Sequence, residues 1–355
     1  GFSKDGFGYG WHVFDDRFDL SNANYKNEEN RFGWVVEIDP MNPNQVPVKR
    51  TALGRFKHEN AEIVIGRGGR VVVYMGDDET FDYIYKFVSE DNWRSMRAKG
   101  ISPLDQGKLY VAKFNDNGTG TWIEMTIDNP ILKAKFKDQG EVLTYARLAA
   151  DALGATPMDR PEWIAAAPSG DVYCTLTNNS RRGTGTFPGP DAANPLVRNT
   201  FGHIIRWRDS NRSVGTRFTW DIYVLAKDTH TIDDGTKTFP SAFGSPDGLW
   251  ADSDGRLFIE TDGTQPTIEG MQINDQLLVA DPSRNVIRRL LTGVSKCEIT
   301  GLTVTPDRRT MFVNLQHPGD GDPKATTFPA PPESGKIPRD CTLVIFRKDG
   351  GVVGS

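Results

Sequence analysis

Cysteine is scarce in this chain. Its 355 residues hold only Cys174, Cys297 and Cys341. That is too few for a disulfide-stapled scaffold, and an odd number leaves at least one thiol unpaired. These cysteines do not by themselves assign a redox compartment. Long apolar runs are missing too: no stretch approaches the ~18 residues of a membrane-spanning helix, and no signal peptide opens the chain. Basic charge is not in excess. With 42 Lys+Arg against 47 Asp+Glu the net charge is −5, so the electrostatic footprint of a nucleic-acid binder is lacking. A hydrophobic share of 37% with 10% aromatics excludes a disordered chain. Several catalytic signatures are absent as well. There is no GxSxG, no Walker A loop and no strand-linked GxGxxG, and the GTGTF stretch at 183–187 sits in a loop without that context. His12, His58, His203, His230 and His317 show no HxxxH or HExxH spacing, which leaves a zinc protease unsupported. No initiator methionine precedes Gly1-Phe2-Ser3-Lys4-Asp5-Gly6, and these residues read as mid-protein sequence, from processing or truncation.

Short β-rich runs fill the rest. WVVEID (34–39), RVVVYM (70–75), KLYVAKF (108–114), DVYCTL (171–176), HIIRW (203–207), RLFIE (256–260), QLLVAD (276–281), TMFVNL (310–315) and TLVIF (342–346) are bounded by Gly, Asp, Asn or Pro turns, the signature of strands. Helical pattern is confined to Glu141–Leu153, ended by Gly154 with Pro157 beyond, and to Glu90–Ala98. The Gly/Pro/Thr-rich segments 180–200 and 317–339 read as surface loops. Neither shifts composition enough to be a linker, so residues 1–355 are expected to form one domain.

The organising feature is a repeat. A strand near Trp34, Leu109, Ile204 or Leu277 leads through a turn to a second strand. An acid in a short motif follows: KHEN (Glu59), RPEW (Glu162), SPDG (Asp247) and CEITG (Glu298). Each motif leads on to a turn and another apolar strand, and a fifth unit is expected to begin at Thr342. Acid-to-acid spacings of 103, 85 and 51 residues require insertions beyond a ~40–45-residue blade. We expect an all-β fold, a β-propeller with irregular insertions that is six-bladed when complete. Residues 1–30 do not supply closing strands, so these are expected from N-terminal sequence outside the chain or from another chain.

Acids at one topological position should converge on a propeller axis. Convergent carboxylates repel one another and persist by protonation or around cations. Oxygen-rich cages favour hard ions, Ca²⁺ first, with Fe³⁺ or Mn²⁺ also suited. The bland alternative for any one acid is a turn cap bonding backbone amides; four in register favour metal. Asp77-Asp78-Glu79 and Glu260-x-Asp262 follow repeat strands, where either a channel mouth or a solvated loop would place them. Arg160 lies two residues before Glu162 and so on the same strand face. There it either grips an oxyanion such as phosphate or simply neutralises Glu162. Lys86 and Lys113 sit in apolar strands, and alternation turns one or the other inward. His317 in LQHPG is a rim or turn residue, while Cys174 and Cys297 read as small core residues.

Taken in order, ENRFGWVVEIDP, LGRFKHE, YMGDDE, YIYKFVS, LYVAKF, DRPEW, SPDGLWAD, IETDG, EITG and NLQHPG resemble the PhoX-type alkaline phosphatases from about Asn30 to Gly319. The resemblance implies a propeller phosphatase with a mixed iron–calcium cluster, exported to the periplasm or secreted, that hydrolyses small phosphomonoesters at alkaline pH. It implies no nucleic-acid or membrane partner. By motif, Glu59 resembles an iron or cluster ligand, Glu162 a calcium-binding acid and Arg160 the phosphate-contacting arginine. Asp78, Asp247 and Glu298 look like further metal ligands, and Lys113 like a second phosphate contact. The implied chemistry is metal-assisted attack on phosphorus, with Arg160 and the metals stabilising the equatorial oxygens.

The family pattern also has an upstream portion carrying a cysteine ligand to iron and a CEEN-type glutamate. NEEN at 27–30 echoes it without the cysteine; with that portion present as a separate chain the enzyme would be complete, and its removal or its place outside this sequence are the open alternatives. Two other readings stay open: a calcium-dependent propeller lactonase or phosphotriesterase, and a non-catalytic propeller whose metal only holds blades together.

Overall fold

A computed structural model describes residues 10–227, 231–233, 238–240, 243–268 and 270–355; Gly1–Gly6 and His230 lie outside the described residues. Four antiparallel units follow one another along the chain. The first runs Glu62–Ile65, Arg70–Gly76, Ile84–Asn92, Gly107–Phe114 and Thr119–Glu124. The second comprises Pro161–Ala166, Asp171–Leu176, His203–Asp209 and Arg217–Leu225. Pairing of Arg217–Thr219 with Thr119–Thr121 joins their outer edges into one nine-stranded sheet. The third is Pro246–Ala251, Leu257–Thr261, Gln276–Asp281 and Val286–Thr292, and the fourth Glu298–Val304, Thr310–Gln316 and Cys341–Phe346. The first strands of successive units touch one another, which makes them the inner strands of a β-propeller.

Apolar layers between units hold the blades. Tyr74, Trp122, Ile164 and Trp207 fill the space between the first and second. Tyr173, Ile204, Leu249 and Ile259 fill the next, and Phe258, Leu277, Ile299 and Met311 the last. Because both faces of the middle units are covered, their strands read as near-continuous apolar runs rather than clean alternation. The free face of the first unit packs instead on the helices Gln139–Thr144 and Ala146–Leu153 and on Leu53 and Phe56.

Every inner strand carries one residue more than its partner near the end where the acid stands. Between the pairs Pro161–Leu176 and Ile164–Cys174 it advances three residues against two, and likewise between Pro246–Thr261 and Leu249–Ile259 and between Thr300–Asn314 and Thr303–Phe312. In the first unit the step from His58–Asp77 to Glu62–Tyr74 is four against three. Such bulges re-aim side chains beside functional sites.

Three sequence expectations need correction. Cys341–Phe346 does not open a fifth unit: it pairs with Thr310–Gln316 as the third strand of the fourth. Of the positions on which the repeat is framed, Ile204 and Leu277 lie on third strands, Leu109 on a fourth and Trp34 on none, and the long 317–339 loop hides the partnership. Val36–Glu37 pairs only with Val48–Lys49, in a separate ribbon. Ile84–Asn92 remains strand through Glu90, so the helix begins at Trp93, where the Asn92 side chain accepts from the Arg94 and Ser95 amides. The other helix breaks at Tyr145 and closes on left-handed Gly154, as its C-cap signal implied.

Candidate functional site

The four repeat acids stand at equivalent ends of the inner strands. Glu162 and Asp247 are each the second residue of their strand, Glu298 is the first, and Glu59 lies three residues before Glu62. Oxygens of Glu59, Asp78 and Glu162 lie within 4.8 Å of one another, as do ligand atoms of Asp262, Glu298 and His317. Asp247 joins the two groups electrostatically: burial first, then Glu298, Asp262, Glu59 and Asp78, push its carboxyl well up.

Close backbone approach builds this convergence. A side chain at Gly76 would lie 2.2 Å from the Glu162 carbonyl, and one at Gly248 would lie 2.1 Å from Glu260 Oε2. The Gly76 contact is to backbone and admits only glycine, whereas at Gly248 the Glu260 carboxylate would have to move aside. The Thr175 hydroxyl, one strand position before Leu176, donates to the Asp247 carbonyl at 2.5 Å. The second unit thus holds the third unit's inner strand beside its acid, and the first unit's Gly76 lies against the second unit's.

Electrostatics reinforce the picture. Glu162 is 1% exposed, and burial, Asp247 and Asp78 raise its pKa well above the carboxylate range. Glu59 opens to solvent but is walled by protein, and burial with Asp78 and Glu298 pushes it up to about 6. Glu260, buried behind Glu298, is pushed up to about 8 by burial and Glu298, against the favourable Leu302 and Gly301 amides. Glu298 accepts from Gln316 Nε2 and approaches His317 Nε2, each at 3.1 Å. Burial disfavours the His317 cation, but Glu298 and Asp262 outweigh it and raise the imidazole pKa.

Arg160 is the cation of the first group. Its backbone has φ +59, uncommon for a non-glycine residue and a hint of function. Nε and Nη2 bond the two Asp78 oxygens at 2.8 and 3.0 Å, and Nη2 lies 3.1 Å from Glu162 Oε1. That oxygen makes no hydrogen bond. Arg160 therefore touches two carboxylates yet leaves the group strongly anionic.

Of the sequence candidates, Glu59, Asp78, Glu162, Asp247, Glu298 and Arg160 come together. Lys113 does not. It is exposed on the fourth strand of the first unit, opposite Thr121, and its Nζ nears Gly154 rather than the acids. Alternation distinguishes two faces of a strand but not an inner strand from an outer one. Lys86, the inward lysine, is buried between units against Asp209. Asp77 is taken by Arg147, and Glu79 by Lys57 at 2.8 Å. Cys174 and Cys297 are core residues, as expected. Asp262 and His317, which the sequence leaves open as channel-mouth or loop and as rim or turn residues, stand together with Glu298. A signal existed for Asp262, which follows Thr261 as Asp78 follows Asp77, at equivalent register positions. For His317 the LQHPG context allows a rim place without naming a partner.

The family described as Alkaline phosphatase PhoX matches residues 1–319. Among solved structures, Pseudomonas fluorescens PhoX in complex with vanadate, a transition state analogue, is 46% identical with a TM-score of 0.85, over 97% of this chain and 62% of that one. The chain thus spans less than two thirds of the length of that relative. A gluconolactonase from Xanthomonas campestris, XC5397, aligns over 79% of this chain and 62% of its own at 12% identity and a TM-score of 0.37. No curated protein sequence matches.

Proposed function

Since the chain belongs to the PhoX alkaline phosphatase family, we propose that it carries the metal- and phosphate-binding core of an enzyme that hydrolyses phosphomonoesters to inorganic phosphate. The single observation behind this reading is Arg160 locked bidentately among buried, mutually repelling carboxylates. Arg160 pairs with Asp78 and lies beside Glu162, but one guanidinium does not match the converging carboxylates, so the ring keeps a demand for cations. The donor set, carboxylate oxygens with one imidazole, and the unbonded Glu162 Oε1 fit hard cations. Glu59, Asp78 and Glu162, with Asp247, would hold one part of the calcium and iron, and Glu298, Asp262 and His317 another. Bound there, the cations supply Lewis-acid charge for phosphoryl oxygens and lower the pKa of water.

The chain's own contribution is positioning. Asp78 fixes the guanidinium plane, so the Arg160 N–H groups not engaged by Asp78 meet the non-bridging oxygens of a phosphoryl group without reorganising. Glu162 and Asp247 hold protons more tightly here than in water and would give them up to an arriving cation, so the pocket favours cations over a bare phosphate. Vanadate, a transition state analogue, was bound in the Pseudomonas relative, and an oxyanion is what an arginine fork of this kind suits. We place the working protein in the periplasm, in keeping with its family.

Turnover of p-nitrophenyl phosphate by protein loaded with Ca²⁺ and Fe³⁺ tests the reading. It should vanish on chelation and return on reloading, and Arg160→Ala should lower kcat by about 10²–10³. Folded, metal-loaded protein that releases no phosphate would overturn it.

A further inference from the structure

We propose that Phe81, Phe187 and Arg181 form a leaving-group subsite that selects esters of aromatic alcohols. This inference rests on the phosphomonoesterase reading above. Three chain segments meet beside Arg160 and are tied into one rim. The Phe81 amide donates to the Met158 carbonyl at 2.8 Å, the Met158 amide to the Asp82 carbonyl at 2.9 Å, and Thr80 bridges Asp159. Asp159, fully buried, receives Arg182 Nε at 2.6 Å, Asn179 at 2.9 Å and Asn199 at 3.0 Å. Those bonds anchor the 179–199 loop to the residue next to Arg160. The rim is therefore fixed relative to the guanidinium rather than hanging free.

Two aromatic rings and an arginine decorate it. Phe81 has φ +71, an unusual backbone for an aromatic residue. Its ring lies parallel to that of Phe187, with an interplanar angle of 8° and centroids 5.5 Å apart. Phe187 remains 41% exposed. The Arg181 guanidinium stands 5.0 Å from the Phe187 ring and 5.7 Å from that of Phe81, and 3.7 Å from Glu79, the neighbour of Asp78. Phe81 follows Asp78 by three residues, so its backbone is within ~11 Å of that carboxylate's own. A phosphoryl group gripped by Arg160 thus has an exposed, stacked aromatic surface within reach of its ester substituent. A planar ring extends such a stack and meets the guanidinium; a short aliphatic alcohol does neither.

The test measures kcat/KM for 1-naphthyl phosphate and for glycerol 2-phosphate with the full chain loaded with Ca²⁺ and Fe³⁺. In Phe187→Ala the naphthyl-to-glycerol ratio should fall about threefold to tenfold, mainly through KM for the aromatic ester. Phe187→Leu, which keeps bulk without the ring, should fall similarly, and Phe187→Tyr should keep the ratio. Arg181→Ala should give a smaller drop. Wild-type turnover of both esters with a ratio unmoved in Phe187→Ala and Phe187→Leu would overturn this inference alone. A folded wild type inactive on both would overturn the phosphatase reading and the subsite with it.

Discussion

Lys86 and Glu162 are ionisable groups with almost no exposure, and their surroundings answer that burial in opposite ways. Lys86 Nζ lies 2.8 Å from Asp209, donates to the Gly215 carbonyl at 2.7 Å, and sits 4.6 Å from the Trp122 ring centroid. Asp209 also receives the Tyr74 hydroxyl at 2.7 Å and the Trp122 indole at 2.8 Å. Charge and lone pairs are met on the spot. Around Glu162 the neighbours are Asp247, Asp78 and Glu59, with Arg160 as the nearby cation. Burial is common to both places, so burial does not mark function; unmatched charge does. The first pair welds two blades, whereas the second arrangement is stable only with protons or cations.

The sharpest way to break the contrast is Lys86→Ala. It strands Asp209 in the interblade core and should cost about 3–5 kcal/mol in urea unfolding of chelated protein. The double change Lys86→Met with Asp209→Leu should recover most of that loss. A cost below about 1 kcal/mol for the single variant would remove the distinction.

The acid ring should respond to pH in a characteristic direction. Burial and neighbouring carboxylates push Glu59 up to about 6 and Glu260 up to about 8, and raise Glu162 and Asp247 as well. Each binds protons more tightly folded than unfolded, so its stabilising contribution is complete below the ordinary carboxylate pKa. That contribution is lost as pH rises through the folded value. Chelated protein should therefore lose Tm between about pH 4 and 8, Ca²⁺ should restore it most at the alkaline end, and Glu162→Gln should flatten the profile. A Tm that climbs across that window without metal would show that the ring is not self-repelling. The smallest effect is expected of Lys113→Ala: stability within about 0.5 kcal/mol of wild type and unchanged turnover. A clear loss of activity would return Lys113 to the site.

Most strands were legible because apolar runs and turn residues encode them locally, and the acids because a repeat places them in register. Repeat phase was harder. Cys341–Phe346 closes its sheet across the loop 317–339, and no local signal names a partner that far back. The same holds for contacts inside the site. Arg160 meets Asp78 from 82 positions away, and sequence spacing offered only its neighbour Glu162. Phe81 and Phe187 come from segments whose meeting is decided by the buried Asp159–Arg182 pair, which no periodicity reports.

The extra residue carried by every inner strand has a further consequence. It assigns the geometry of the inner-strand ends to the backbone and leaves the charge there to four side chains, Glu59, Glu162, Asp247 and Glu298, beside which Asp78, Asp262, His317 and Arg160 stand. Framework and ligand set are then separately heritable. Substitution at those four positions should change the charge the ring carries while the sheets keep their register. The propeller is in that sense a socket, and its specificity is written in replaceable pins.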